Sequence, residues 1–182
     1  MKIRDGWLLE AEHLVSPNSD HRPPDELPSL LVVHNISLPP GQFGGDQVRD
    51  FFTNNLDVQA HPYFQEIADM QVSAHLLIDR LGHITQFVSF LERAWHAGAS
   101  CFAGRERCND FSIGIELEGT DTLPYTDRQY QVLAQVTIAL MREYPDISVD
   151  RIVGHCDIAP GRKTDPGSAF DWHGFRRLLP EP

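Results

Sequence analysis

The apolar positions of this chain change their period along its length, and the changes mark out its elements. Leu30-Leu31-Val32-Val33 is an unbroken apolar run, the pattern of a strand covered on both faces. It ends on His34-Asn35-Ile36, and Pro39-Pro40-Gly41 breaks the chain soon after. Over residues 46–56 the period lengthens; Val48, Phe51, Phe52 and Leu56 fall on one side and predict a helix. Residues 73–78 and 83–88 read as a hairpin around Asp79-Arg80-Leu81-Gly82, with glycine placed for a positive φ. Residues 111–117 alternate: Ser112, Gly114 and Glu116 take one face, and Phe111, Ile113, Ile115 and Leu117 the other.

The longest predicted helix covers residues 126–144, with Thr126 and Gln129 as a capping box and Val132, Val136, Ala139 and Leu140 at helical spacing. Residues 151–154 predict a short strand and 171–179 a closing helix. Residues 16–28, rich in Pro, Asp, Asn and Ser, read as an irregular loop after a short N-terminal strand. Strands interspersed with helices predict an α/β fold, a single domain over residues 1–182 with a mixed central β-sheet flanked by helices.

Composition narrows the partners. A formal net charge of −11 argues against nucleic acid, whose binders carry a basic footprint, and against an anionic membrane surface. An anionic small substrate would need a local cationic cluster, for which Arg105, Arg107, Arg162 and Lys163 are candidates. The N-terminal apolar run is too short and too charged for an export signal, and no run approaches a membrane span. No obligate protein partner is evident. Cys101, Cys108 and Cys156 follow no disulfide or zinc-finger spacing; they read as small buried hydrophobes, and a cytoplasmic location is expected.

The chemistry concentrates near the C-terminus, in Gly154-His155-Cys156-Asp157-Ile158-Ala159-Pro160-Gly161-Arg162-Lys163-Thr164-Asp165-Pro166-Gly167. Lys163 is one of only two lysines, the other being Lys2. His13, His21, His61, His83 and His173 read as solvated or capping residues. His34 and His155 each follow a strand, at the sheet end where ligand sites of α/β folds gather. With Asp165 they form a two-histidine, one-carboxylate set that suits an open zinc site and equally iron. Glu116, on the polar face of its strand, is a candidate general base. Lys163 is a candidate stabiliser of a developing oxyanion. Trp95-His96-Ala97-Gly98 sets an aromatic surface beside a small-residue turn, suited to a sugar or a substrate stem.

Four stretches together carry a resemblance: Leu30-Leu31-Val32-Val33-His34-Asn35-Ile36, Arg93-Ala94-Trp95-His96-Ala97-Gly98, the run from Asn109 to Gly119, and the C-terminal loop. In this order, spanning most of the chain, they resemble the AmpD-type N-acetylmuramoyl-L-alanine amidases, relatives of bacteriophage lysozyme-like amidases and of peptidoglycan recognition proteins. The resemblance implies an amidase-like fold and Zn²⁺ held by His34, His155 and Asp165. It implies Glu116 and Lys163 as the catalytic pair, and Asn35, Trp95 and Arg107 as substrate-groove positions. The implied substrates are small soluble anhydromuramyl peptides, cut between the lactyl group of the sugar and L-alanine. The implied role is cell-wall recycling, coupled to β-lactamase induction in hosts with that pathway. Two other readings compete. A non-catalytic wall-fragment receptor typically lacks one of the zinc ligands, and all three are present here. An iron oxygenase would need a cosubstrate anchor that the sequence does not display.

Overall fold

The computed structural model describes residues 1–180; Glu181 and Pro182, the end of the expected domain, lie outside the described residues. Six strands form the central sheet: β1 (Glu12–His13), β2 (Leu30–Ile36), β3 (Leu76–Ile78), β4 (Ile84–Gln86), β5 (Ser112–Glu118) and β6 (Ile152–Gly154). Their spatial order is β6-β2-β5-β3-β4-β1. Only β3 and β4 run antiparallel to each other; the other neighbours are parallel. The sheet is therefore mixed, as its pattern predicts. Three two-stranded ribbons lie at its margins, one of which pairs Ser19–His21 with Glu92–Ala94. The segment expected as a loop thus contains a short strand.

Five α-helices occur among the described residues: α1 (Gln47–Phe52), α2 (Pro62–Glu66), α3 (Asp127–Glu143), α4 (His155–Ile158) and α5 (Trp172–Arg176). Helix α3 follows its pattern closely. The Thr126 hydroxyl accepts from Gln129 N and the Gln129 side-chain oxygen Oε1 accepts from Thr126 N, both at 3.1 Å. Its apolar side buries Val132, Leu133, Val136 and Leu140 against Leu31, Val33, Ile113 and Ile115 of the two central strands. Helix α1 is shorter than predicted because Asn54 turns left-handed, at φ +60, while Leu56 still reaches the second core cluster from the turn beyond. Helix α5 is also short. Asp171 caps it by accepting from Gly174 N at 2.8 Å, and past Arg176 the bonds tighten to a three-residue spacing.

Hairpin β3–β4 closes as expected. Gly82 takes φ +84, and one Asp79 carboxylate oxygen accepts from Leu81 N and His83 N, each at 2.8 Å. Phe111 departs from the alternation. A 3₁₀ turn over Cys108–Asp110 immediately precedes it, so its ring packs with Leu30, Val32 and Cys108, not with Ile113. The two faces of the sheet consequently differ: one is apolar beneath α3, and the other carries Ser112, Gly114, Glu116 and His34.

Gln129 joins these layers. Its side chain is fully buried, and its amide donates to Glu118 O at 2.9 Å and Ile78 O at 3.3 Å while its oxygen completes the cap. Gln129→Ala should cost about 1–3 kcal/mol, since it leaves buried carbonyls without donors. Urea unfolding with an unchanged m-value checks this, and a loss below about 0.5 kcal/mol, the scale of an ordinary surface change, would contradict it.

Candidate active site

Strand register brings the first two residues together. In the parallel β2–β5 pair, His34 lies directly opposite Glu116, so their side chains leave the sheet on the same face. Strand β6 pairs with the other edge of β2 and hands the chain to His155, the first residue of α4. Asp165 arrives from the following loop, which is laced back by Cys156 N to Asp165 O at 3.0 Å and Lys163 N to Ala159 O at 3.0 Å. Gly154 permits the overlay, because a Cβ there would lie 2.8 Å from Pro166 Cδ.

The result is a nearly equilateral triangle of donor atoms. His34 Nδ1 lies 3.0 Å from His155 Nδ1 and 3.0 Å from Asp165 Oδ2, and His155 Nδ1 lies 3.1 Å from the same oxygen. Both imidazoles are buried and the carboxylate is partly so. Two imidazole nitrogens and an anionic oxygen at this spacing present more lone pairs than the available protons can satisfy. A divalent cation would satisfy all three, and this donor set is that of an open zinc centre.

Electrostatics favours the metal-ready protonation states. Burial pushes His34 down to about 4, against an opposing hydrogen bond to the Asp165 carboxylate, so its ring is neutral at pH 7. For Asp165, burial acts upward, but hydrogen bonds accepted from His155 and His34 outweigh it and hold the carboxylate well below its ordinary range. Glu116 goes the other way. Burial, reinforced by the nearby Asp165 charge and opposed by Lys163, raises it well above its ordinary value. Its Oε2 is buried and has no hydrogen-bond partner. An orphaned carboxylate oxygen facing a donor triangle is where a reacting group could dock.

The triangle opens into a cleft of about 550 Å³. Glu116 and Lys163 line it with the three donors, as do Asn35 and Trp95. Ile36, Leu38, Phe51, Tyr63 and Ile67 supply an apolar wall. Arg107 is not brought to this cleft. It is exposed, left-handed at φ +61, and pairs with Asp110 at 3.2 Å. It borders a separate depression beside Gly98 and Cys101. The four cations considered as a cluster do not form one, since Arg105 pairs with Glu26 at 2.7 Å and stacks on Phe111. Of the three thiols only Cys108 is buried; Cys101 is exposed and Cys156 partly so. The five histidines read as solvated or capping lie outside the donor set, and His61 caps α2 by accepting from Tyr63 N.

Several supporting residues carry no local signal in the sequence. Asp121 accepts from Asn35 Nδ2 at 2.8 Å and from Thr164 Oγ1 at 2.5 Å, and its carbonyl accepts from Ala169 N. It ties β2 to the loop bearing Lys163 and Asp165. Gly167, at φ +81, crosses so near that a Cβ would sit 2.1 Å from Asp121 Cα. His75 is structural: its Nδ1 accepts from Gly114 N at 3.0 Å and its Nε2 lies 3.1 Å from Glu92 O.

This architecture matches proteins of known activity. The family model described as N-acetylmuramoyl-L-alanine amidase matches residues 24–168. The 1,6-anhydro-N-acetylmuramyl-L-alanine amidase AmpD of Escherichia coli (strain K12) is 64% identical over 179 residues, 98% of this chain and 97% of that one. The chain belongs to the N-acetylmuramoyl-L-alanine amidase family. A crystal structure of an AmpD derivative superposes on this amidase with a TM-score of 0.97 at 62% identity, covering 99% and 100% of the two chains. The E. coli amidase AmiD, solved in complex with anhydro-N-acetylmuramic acid-L-Ala-D-gamma-Glu-L-Lys, superposes at 0.61 with 30% identity, over 87% of this chain and 60% of that one. The amidase is a hydrolase with a mixed sheet, as its sequence predicts.

Glu116 makes a prediction about stability. Its carboxyl is raised in the folded state, so the fold favours the neutral form. Well below the ordinary value of 4.5 both states are protonated and nothing is lost. As pH rises, the unfolded chain ionises first, and stability falls until the folded group ionises too. The metal-free Glu116→Gln protein should therefore melt higher than wild type at pH 8, with the difference shrinking toward pH 4.5. An equal or lower melting temperature at pH 8 would contradict the buried, partnerless carboxylate.

Proposed function

We propose that residues 1–182 act as one zinc amidase domain that hydrolyses the amide between the lactyl group of anhydro-N-acetylmuramic acid and L-alanine. The observation that carries this reading is the partnerless Glu116 oxygen beside a three-donor triangle, in a cleft lined by Lys163. His34, His155 and Asp165 would hold the zinc. When bound, zinc supplies Lewis-acid activation of water and of the scissile carbonyl. Glu116, with its raised proton affinity, is suited to take the proton of the attacking water and return it to the leaving amine. An amide nitrogen leaves poorly unless protonated, so one carboxyl serving as base and then acid meets both needs. Lys163 places a mobile ammonium where negative charge develops on the carbonyl oxygen.

The cleft suits such a substrate. Its apolar wall and the Trp95 ring can pack against a sugar face, and Asn35, steadied by Asp121, offers a polar group near the stem. The relative AmiD, captured with an anhydromuramyl tripeptide, supports this chemistry for the class of ligand. No helix among the described residues is long and apolar enough to cross a membrane. The substrates are proposed to be small soluble anhydromuramyl peptides in the cytoplasm, released during wall recycling. Intact sacculi should be cut more slowly than a defined anhydromuramyl tripeptide.

Purified protein should carry one zinc per chain, lost together with activity on chelation and restored with it. Stoichiometric iron, or full turnover under excess chelator, would overturn the reading. Glu116→Gln should lower kcat by about 10²–10⁴-fold and Lys163→Ala by roughly 10²–10³-fold, with zinc retained in both. Because both residues act on one transition state, the double variant should lose less than the product of the single losses. Near-normal turnover of a zinc-replete Glu116→Gln protein would remove it as the base. Loss of zinc from that variant would make Glu116 part of the metal site.

A further inference from the structure

The remote nitrogens of the two donor histidines are both met by one turn. His155 Nε2 lies 3.3 Å from Ala97 O, and His34 Nε2 lies 2.9 Å from His96 Nδ1. The backbone of this turn is fixed from below, where the Asn109 side-chain oxygen accepts from His96 N at 3.1 Å and Ala97 N at 2.8 Å. A carbonyl only accepts, so the His155 proton belongs on Nε2 and its Nδ1 keeps a free lone pair. For His34 the partner is another imidazole, which could donate or accept. On the far side of that ring His96 Nε2 lies 3.1 Å from Ser112 Oγ, a hydroxyl that can serve either polarity, so the polarity of the chain is set at the triangle end. The ring has space only because residue 114 is glycine; a Cβ there would lie 2.4 Å from His96 Cγ.

We propose that His96 is a positioning residue that fixes the tautomer of His34. With a metal at the triangle, His34 Nδ1 must be unprotonated, so its proton sits on Nε2 and donates to His96 Nδ1. The His96 proton then sits on Nε2 and donates to the Ser112 hydroxyl oxygen. The opposite polarity would place a proton on His34 Nδ1, inside the triangle, where it competes with a cation. Metal-ligating histidines are commonly oriented in this way by a partner on the second nitrogen. Here the partner is a second imidazole, in a berth that Gly114 leaves open. The inference rests on the zinc reading of the site.

The test is zinc affinity of the metal-stripped protein, by competition with a chromophoric chelator, for wild type, His96→Phe and His96→Asn. Phenylalanine keeps the ring but offers no acceptor; asparagine loses volume but can place its side-chain oxygen near the Nδ1 position. His96→Phe should bind zinc about 10–100-fold more weakly, the usual effect of losing such a partner. His96→Asn should recover most of that loss. If packing alone mattered, the order would reverse, and that result would overturn the proposal. Should a variant fail to fold, ¹⁵N-histidine spectra of zinc-loaded wild type decide the matter. Protons on Nε2 of both His34 and His96 are expected, and a proton on His96 Nδ1 would overturn the inference. Failure of wild type to bind zinc would instead defeat the proposed function.

Discussion

Everything at this site depends on holding three donor atoms within about 3 Å of one another in a place water scarcely reaches. Two imidazole nitrogens and a carboxylate oxygen lie 3.0–3.1 Å apart. They are held there by three neighbouring parallel strands, one of which carries His34 and another of which hands the chain to His155, and by a loop bound at several points. Asp121 grips that loop through Thr164 and Ala169, and Tyr125 donates to Pro166 O at 2.7 Å. A geometry this close holds only where the surroundings over-determine it.

The apolar layer beneath α3 supplies that determination. Leu31, Val33, Ile113, Ile115 and Leu117 are fully buried on one face of β2 and β5, and their packing fixes the register. A one-residue slip would turn each of them outward and separate His34 from Glu116. Core packing and catalytic geometry are thus the same constraint seen from opposite faces of one sheet. The charge pattern follows. Burial keeps His34 neutral and makes Glu116 hold its proton tightly, while at Asp165 hydrogen bonds from the two histidines outweigh it and keep the carboxylate ionised.

Much of this was legible in the sequence, because the relevant residues sit at positions with strong local patterns. The apolar run before His34, the alternation around Glu116 and the capping box of α3 each predict their element, and strand ends are where sites form. What escaped was settled by contacts distant in sequence. Asp121 looks like any loop aspartate, and its use depends on Asn35 and Thr164, 86 and 43 residues away. The roles of His75 and His96 turn on Gly114, which reads only as a gap in a strand. Arg107 was placed in the groove by its neighbourhood, but it sits in a left-handed turn, paired with Asp110 beside a separate depression. Phe111 broke the alternation for a similar reason, a short 3₁₀ turn that a two-residue period does not register.

The central claim is that two imidazoles and one carboxylate, and nothing else from this chain, hold a single zinc. X-ray absorption spectroscopy of the zinc-loaded protein tests it most directly, because it reads the donors themselves. The account predicts two imidazole nitrogens and light oxygen scatterers at roughly 2.0–2.2 Å. A sulfur shell near about 2.3 Å, which would bring in Cys156, or scattering from three imidazoles, which would make His96 a ligand, would contradict it.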